Sequence, residues 1–91
     1  MNKKTTRQRF SFKYYAPEAK SVFLAGSFNG WNVLANPMKM GKDGNWATAV
    51  NLFPGTYEYQ FIADGEWKND PACEMSYSNI YGGYNSLLII E

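Results

Sequence analysis

The chain has 91 residues, 45% of them hydrophobic and 18% aromatic, with 9 basic and 8 acidic side chains and no histidine. That length supports one modest core and excludes a second domain of ordinary size. A net charge of +1 excludes the single-sign field by which nucleic acid or an anionic membrane is usually engaged.

Residues 1–7 show no apolar periodicity, and the only basic cluster is Lys3, Lys4, Arg7 and Arg9. They read as a flexible N-terminal segment ahead of a single domain over 8–91. No apolar run follows Lys3 and Lys4, so no signal peptide is expected. The longest apolar stretch, Leu87 to Ile90, is too short to span a bilayer. Cys73 has no partner for an internal disulfide, which fits a reducing compartment; the expected location is cytoplasmic.

The first strand covers 8–15, where Phe10, Phe12 and Tyr14 alternate with Arg9, Ser11 and Lys13. Pro17 sets a turn. Residues 20–26 form the next strand, with Val22 and Leu24 facing the core. Ser27 to Asn32 is a polar, glycine-containing loop that carries Trp31. Residues 37–40 fit a short edge strand, since Pro37 lacks a donor and Lys39 discourages pairing. Asp43-Gly44 signals a hairpin turn. Trp46, Thr48, Val50 and Leu52 share one face of a strand over 45–52. After Phe53-Pro54-Gly55, a strand over 56–63 sets Tyr57, Tyr59, Phe61 and Ala63 against Glu58, Gln60 and Ile62. Asp64-Gly65 is a second tight turn, 66–68 a short return strand, 69–84 a loop, and 85–90 the closing strand. Seven short strands with turns at this spacing predict an all-β, immunoglobulin-like antiparallel β-sandwich.

Catalytic groupings are scarce. Without histidine no Ser-His-Asp or Cys-His arrangement exists, and one cysteine leaves no usual zinc site. Tyr81-Gly82-Gly83-Tyr84 lacks the spacing of a phosphate-binding loop. A glycosidase needs two facing carboxylates. Asp64, Glu66 and Asp70 are the only clustered candidates, and each sits where turn or hairpin chemistry explains it. The expectation is a protein that is not an enzyme and needs no cofactor.

Seven Tyr, six Phe and three Trp exceed what so small a sandwich must bury. Some rings are therefore expected at the surface. Trp46 shares its face with apolar neighbours and belongs to the core. Trp31 sits among Asn29, Gly30 and Asn32, and Trp67 between Glu66 and Lys68. A flat ring held at a polar surface can stack on the C–H face of a pyranose while neighbouring amides meet its hydroxyls.

Three blocks carry a resemblance: Val22 to Trp31 (VFLAGSFNGW), Pro54 to Trp67 (PGTYEYQFIADGEW), and Asp70-Pro71 followed by Tyr81 to Ile90 (YGGYNSLLII). In this order they resemble carbohydrate-binding module family 48, over residues 8–90. That family includes the glycogen-binding domain of the AMP-activated protein kinase beta subunit and the N-terminal domains of branching enzymes, isoamylases and pullulanases. The resemblance implies an early-set immunoglobulin-like fold and binding of an α-glucan such as glycogen or starch. It implies that Trp31 and Trp67 stack on consecutive glucose rings and that Asn85 meets a hydroxyl. Gln60 stands where the kinase-type modules carry a lysine, Tyr81 where they carry a leucine, and Gly83 where they carry a threonine. Tyr81 is thereby a candidate third ring.

Two further readings follow. Some barrel-linked members of the family pack against their catalytic partner instead of sugar. A protein–protein module serving a kinase or a glycoside hydrolase is therefore the alternative. A small glycan-active enzyme is disfavoured by the missing histidines and the lack of mass for a deep cleft.

Overall fold

A computed structural model describes residues 6–73, 75–79 and 83–91. Among them lie nine strands: β1 (Gln8–Tyr15), β2 (Val22–Gly26), β3 (Asn36–Pro37), β4 (Lys39–Met40), β5 (Asn45–Leu52), β6 (Gly55–Ala63), β7 (Glu66–Lys68), β8 (Ser76–Ser78) and β9 (Tyr84–Ile90). A three-stranded sheet runs β1-β5-β4. It packs on a six-stranded sheet in the order β3-β2-β6-β9-β8, with β7 also paired to β6. Every pairing is antiparallel. The fold is the expected all-β sandwich.

Alternation in the sequence becomes the two sides of each sheet. In the small sheet, Phe10 lies opposite Val50, Phe12 opposite Thr48 and Tyr14 opposite Trp46, so one row of apolar side chains faces inward. In the large sheet Val22 and Leu24 on β2, Tyr59 and Phe61 on β6, and Leu88 and Ile90 on β9 complete the core. Leu24 and Phe61 are wholly buried. Aromatic rings join the layers: Phe12 and Tyr59 meet edge-on at 5.1 Å, and Tyr14 and Phe61 lie 4.8 Å apart with their planes inclined by 34°. Burial of such side chains contributes about 1.5–3 kcal/mol each. Trp46 is a core residue as expected, and its indole N–H donates to the Ala16 carbonyl at 2.8 Å.

Among the described residues nine strands stand where seven were expected, β6 and β9 each begin one residue earlier than read, and three larger details also differ from the sequence reading. β2 starts at Val22 rather than residue 20, because the amides of Lys20 and Ser21 both donate to the Asp64 carboxylate instead of to a ladder. The segment 37–40 is two strands, not one. Asn36–Pro37 joins the large sheet and Lys39–Met40 the small one, with Met38 buried between them. The chain thus crosses from one layer to the other within five residues. The stretch read as a loop over 69–84 contains β8, whose Ser-Tyr-Ser sequence is exposed throughout and carries no apolar alternation. Of the expected flexible segment, residues 1–5 lie outside the described residues.

The three clustered carboxylates serve the fold. Asp64 and Gly65 take positive φ values of 50° and 82°, the geometry of a two-residue hairpin turn. Glu66 pairs with Lys68 at 3.1 Å on the surface, a contact of little energetic weight. Asp70 accepts from the Tyr59 hydroxyl at 2.6 Å and from the Ala72 amide at 2.9 Å, so it pins the following loop to the core.

Tyr59 gives the fold a pH dependence. Burial, reinforced by the hydrogen bond to Asp70, pushes its phenol well above the usual tyrosine range. Below about pH 10 both folded and unfolded chains keep this proton. Above that value the unfolded chain releases it and the folded chain does not, so stability falls by about 1.4 kcal/mol per pH unit from this group. Tyr59→Phe is expected to show a shallower alkaline loss than wild type in urea melts across that range. Parallel losses in the two proteins would contradict the assignment.

Candidate functional site

The loop after β2 is built to hold Trp31 in place. Gly26 ends β2 against β6, and a Cβ there would lie 2.6 Å from both the Glu58 carbonyl oxygen and the Phe28 ring. Only glycine permits that approach. A single 3-10 turn, Ser27–Asn29, follows. The Asn29 carboxamide stitches the loop. Its Oδ1 accepts from the Gly26 amide at 3.1 Å, and its Nδ2 donates to the Leu24 carbonyl at 3.1 Å and to Asn36 Oδ1 at 2.6 Å. The Trp31 amide donates back to the Gly26 carbonyl at 2.9 Å. Gly30 and Trp31 both adopt left-handed backbone, with φ of 67° and 61°. For a bulky residue such as tryptophan this conformation costs about 1–2 kcal/mol, and the Asn29 network holds it.

Trp67 arrives from the opposite side. It lies on β7 opposite Ile62, so it projects from the outer face of the large sheet, where it is 48% exposed. The two indoles meet: their centroids are 6.2 Å apart and their planes inclined by 50°. Trp31 is half-buried rather than exposed, and this contact accounts for part of the difference.

Gln60 and Asn85 form a polar floor beside the rings. The β6–β9 register pairs Tyr59 with Ser86 and so brings Gln60 alongside Asn85 on the outer face. Gln60 Nε2 donates to Asn85 Oδ1 at 2.6 Å, Asn79 Nδ2 donates to the same oxygen at 3.2 Å, and Asn85 Nδ2 donates to Glu58 Oε1 at 3.0 Å. Both Gln60 and Asn85 are buried, so the amides are held by one another rather than splayed into solvent. The resulting groove has a volume of about 1130 Å³ and includes Trp31, Trp67, Gln60, Asn85, Glu58 and Tyr84 in its lining.

Four of the five residues expected from the sequence therefore share one concave face. Tyr81 lies outside the described residues. Gly83 lies in the groove lining, and its amide donates to Asn79 Oδ1 at 3.0 Å. Glu58 and Tyr84 are groove residues that the sequence reading did not single out. The signal for Glu58 was present, since it stands two residues before Gln60 on the same strand face. Tyr84, 55% exposed at the start of β9, carried no comparable signal. No cluster of three metal-ligating side chains occurs among the described residues. Inclined rings over an amide floor suit a ligand with apolar C–H faces and a rim of hydroxyls.

Comparison with known proteins bears on this geometry. The family model described as the glycogen recognition site of AMP-activated protein kinase matches residues 8–91. The chain belongs to this glycogen-recognition family. Among curated relatives, protein PTST homolog 2, chloroplastic, of Arabidopsis thaliana is 45% identical over 74 residues, covering 80% of this chain and 13% of the relative. FLOURY ENDOSPERM 6, chloroplastic, of Oryza sativa subsp. japonica is 39% identical over 72 residues, covering 79% of this chain and 13% of the relative. The beta-1 subunit of 5'-AMP-activated protein kinase from Sus scrofa is 32% identical over 72 residues, covering 79% of this chain and 56% of that protein. The chain thus spans about an eighth of each plant relative. The glycogen-recognition family is named for recognition and not for a reaction. Among the described residues no helix is long and apolar enough to cross a membrane. Both plant relatives are named as chloroplastic, so a cytoplasmic location does not follow from them.

Proposed function

We propose that residues 8–91 form one non-catalytic domain that binds α-1,4-linked glucan, such as glycogen or starch, by stacking glucose rings on Trp31 and Trp67. The observation that carries the reading is the pair of indoles, 6.2 Å apart and inclined by 50°, beside the Gln60–Asn85 floor. An α-1,4 linkage turns each glucose relative to the last and the chain curls. A β-1,4 chain is a flat ribbon. Two inclined rings accept consecutive faces of the curled chain and cannot both lie flat on the ribbon. The free edges of Gln60 and Asn85 then meet hydroxyls, and the chloroplastic and kinase-subunit relatives are similar to this chain over 72–74 residues.

The groove is open, so each polar contact adds only about 1 kcal/mol net. After the losses of association, affinity falls roughly between millimolar and micromolar. Such a module works by localisation: it holds a larger protein, a kinase assembly or a glycoside hydrolase, near a polymer that offers many sites. Its compartment is then the one that stores the polymer, the cytoplasm in the simplest case. Calorimetric titration with maltoheptaose and with cellohexaose tests the reading. Binding of the first and none of the second is expected. Equal binding of both, or of neither, overturns it.

A further inference from the structure

The polarity of the groove floor originates in one carboxylate. Glu58 is half-buried on the outer face of β6, and its backbone amide is tied to Ser27 Oγ at 3.1 Å. An ionised carboxylate only accepts hydrogen bonds. Asn85 must therefore turn its NH₂ toward Glu58, as the 3.0 Å contact shows, and its oxygen the other way. That oxygen receives both Gln60 Nε2 and Asn79 Nδ2, which occupies its two lone pairs. The direction of every donor in the row follows from the charge at its end.

The same inventory shows what remains for a ligand. Glu58 keeps its second oxygen, Gln60 keeps its carbonyl and one N–H beyond the bond to Asn85, and Asn85 keeps one N–H beyond the bond to Glu58. Counted as lone pairs, the acceptor sites left on Glu58 and Gln60 outnumber these two N–H groups, which favours a ligand that brings hydroxyl hydrogens. Charge points the same way. Glu58 is the acidic residue in the groove lining and Lys68 the basic one, but Lys68 already pairs with Glu66 at 3.1 Å. Glu58, Glu66 and Lys68 taken together carry one net negative charge, and Glu58, half-buried at the floor, is screened by salt less than a charge on open surface.

We infer that Glu58 is the specificity-determining residue of this groove: it orients the Asn85 and Gln60 amides, accepts a glucosyl hydroxyl, and selects neutral glucan over glucan bearing phosphate esters. The inference rests on the groove being the glucan site. Hydroxyl-to-carboxylate bonds are roughly twice as strong as neutral ones, while a phosphate brought to the same floor meets a like charge.

The test compares wild type, Glu58→Gln and Trp67→Ala against maltoheptaose and against a maltoheptaose carrying one phosphate ester. Glu58→Gln keeps the shape and removes the charge. It should weaken maltoheptaose binding by about three- to tenfold. It should also lower the preference for the neutral sugar by about fivefold at low salt, with a smaller change at high salt. The preference is a ratio of two affinities, so a partly unfolded variant still reports it. In wild type, maltoheptaose should shift the side-chain NH₂ resonances of Gln60 and Asn85. A wild-type ratio in Glu58→Gln, alongside lost binding in Trp67→Ala, overturns the role of Glu58 and leaves the groove as the glucan site. Wild-type affinity in Trp67→Ala overturns the groove itself, and this inference with it.

Discussion

Trp67→Ala should weaken maltoheptaose binding at least about thirtyfold, the scale of an aromatic hot spot worth 2 kcal/mol or more, and leave the melting temperature nearly unchanged. Trp67 is 48% exposed on a three-residue strand, and its side chain leaves the sheet on the face away from the core. Its removal opens no cavity among the packed residues, so the fold has little to lose. The ligand loses more than one ring. Trp31 is braced by Trp67 at 6.2 Å, and without that brace an indole on strained left-handed backbone has fewer contacts to hold its plane. The two rings should therefore act as a unit. The double variant with Trp31→Ala is expected to bind no worse than the weaker single variant, a non-additive result that reports coupling. Calorimetry with thermal melts of the same samples checks both halves. A loss below threefold, or a loss that tracks destabilisation, would contradict the stacking role.

Phe61→Ala is expected to do the reverse. Phe61 is wholly buried at the centre of β6, against Tyr14 at 4.8 Å and Tyr59 at 5.8 Å. Truncating a buried phenylalanine removes transfer energy and leaves a cavity, together costing about 3–5 kcal/mol. Domains of ordinary stability have only about 5–15 kcal/mol in all. For a chain of this size each kcal/mol shifts the melting temperature by about 4–8 °C, so the fall should be on the order of 15–30 °C. Leu24, also wholly buried on the neighbouring strand, sits opposite Phe61 and cannot collapse into the space without leaving its own register. Urea denaturation provides the measurement. A cost below about 1.5 kcal/mol, the range of tolerated core exchanges, would show that the core relaxes far more than its packing suggests.

Much of the scaffold was legible because its signals are local. β1, β5 and β7 match the expected 8–15, 45–52 and 66–68 strands, since period-two alternation and Gly-containing turns mark strands without help from the rest of the chain. Trp46 was assignable to the core on the same ground. The failures share a cause as well. The crossing at Met38 depends on which sheet each half of a short segment reaches. β8 exists because β9 offers an edge to an exposed Ser-Tyr-Ser run that has no pattern of its own.

The two tryptophans show where the division falls. The sequence alone established that Trp31 and Trp67 stand in polar surroundings while Trp46 does not, because a few neighbouring residues decide that question. It also excluded histidine-based chemistry outright. Only the tertiary structure decided that the two rings, thirty-six positions apart in the chain, touch at a fixed inclination. It likewise decided that Gln60, Asn85 and Glu58 join in one directed row of hydrogen bonds. Alternation assigns a side chain to a face of its own strand; which strands lie side by side, and at what register, is set by the packing of the whole sheet.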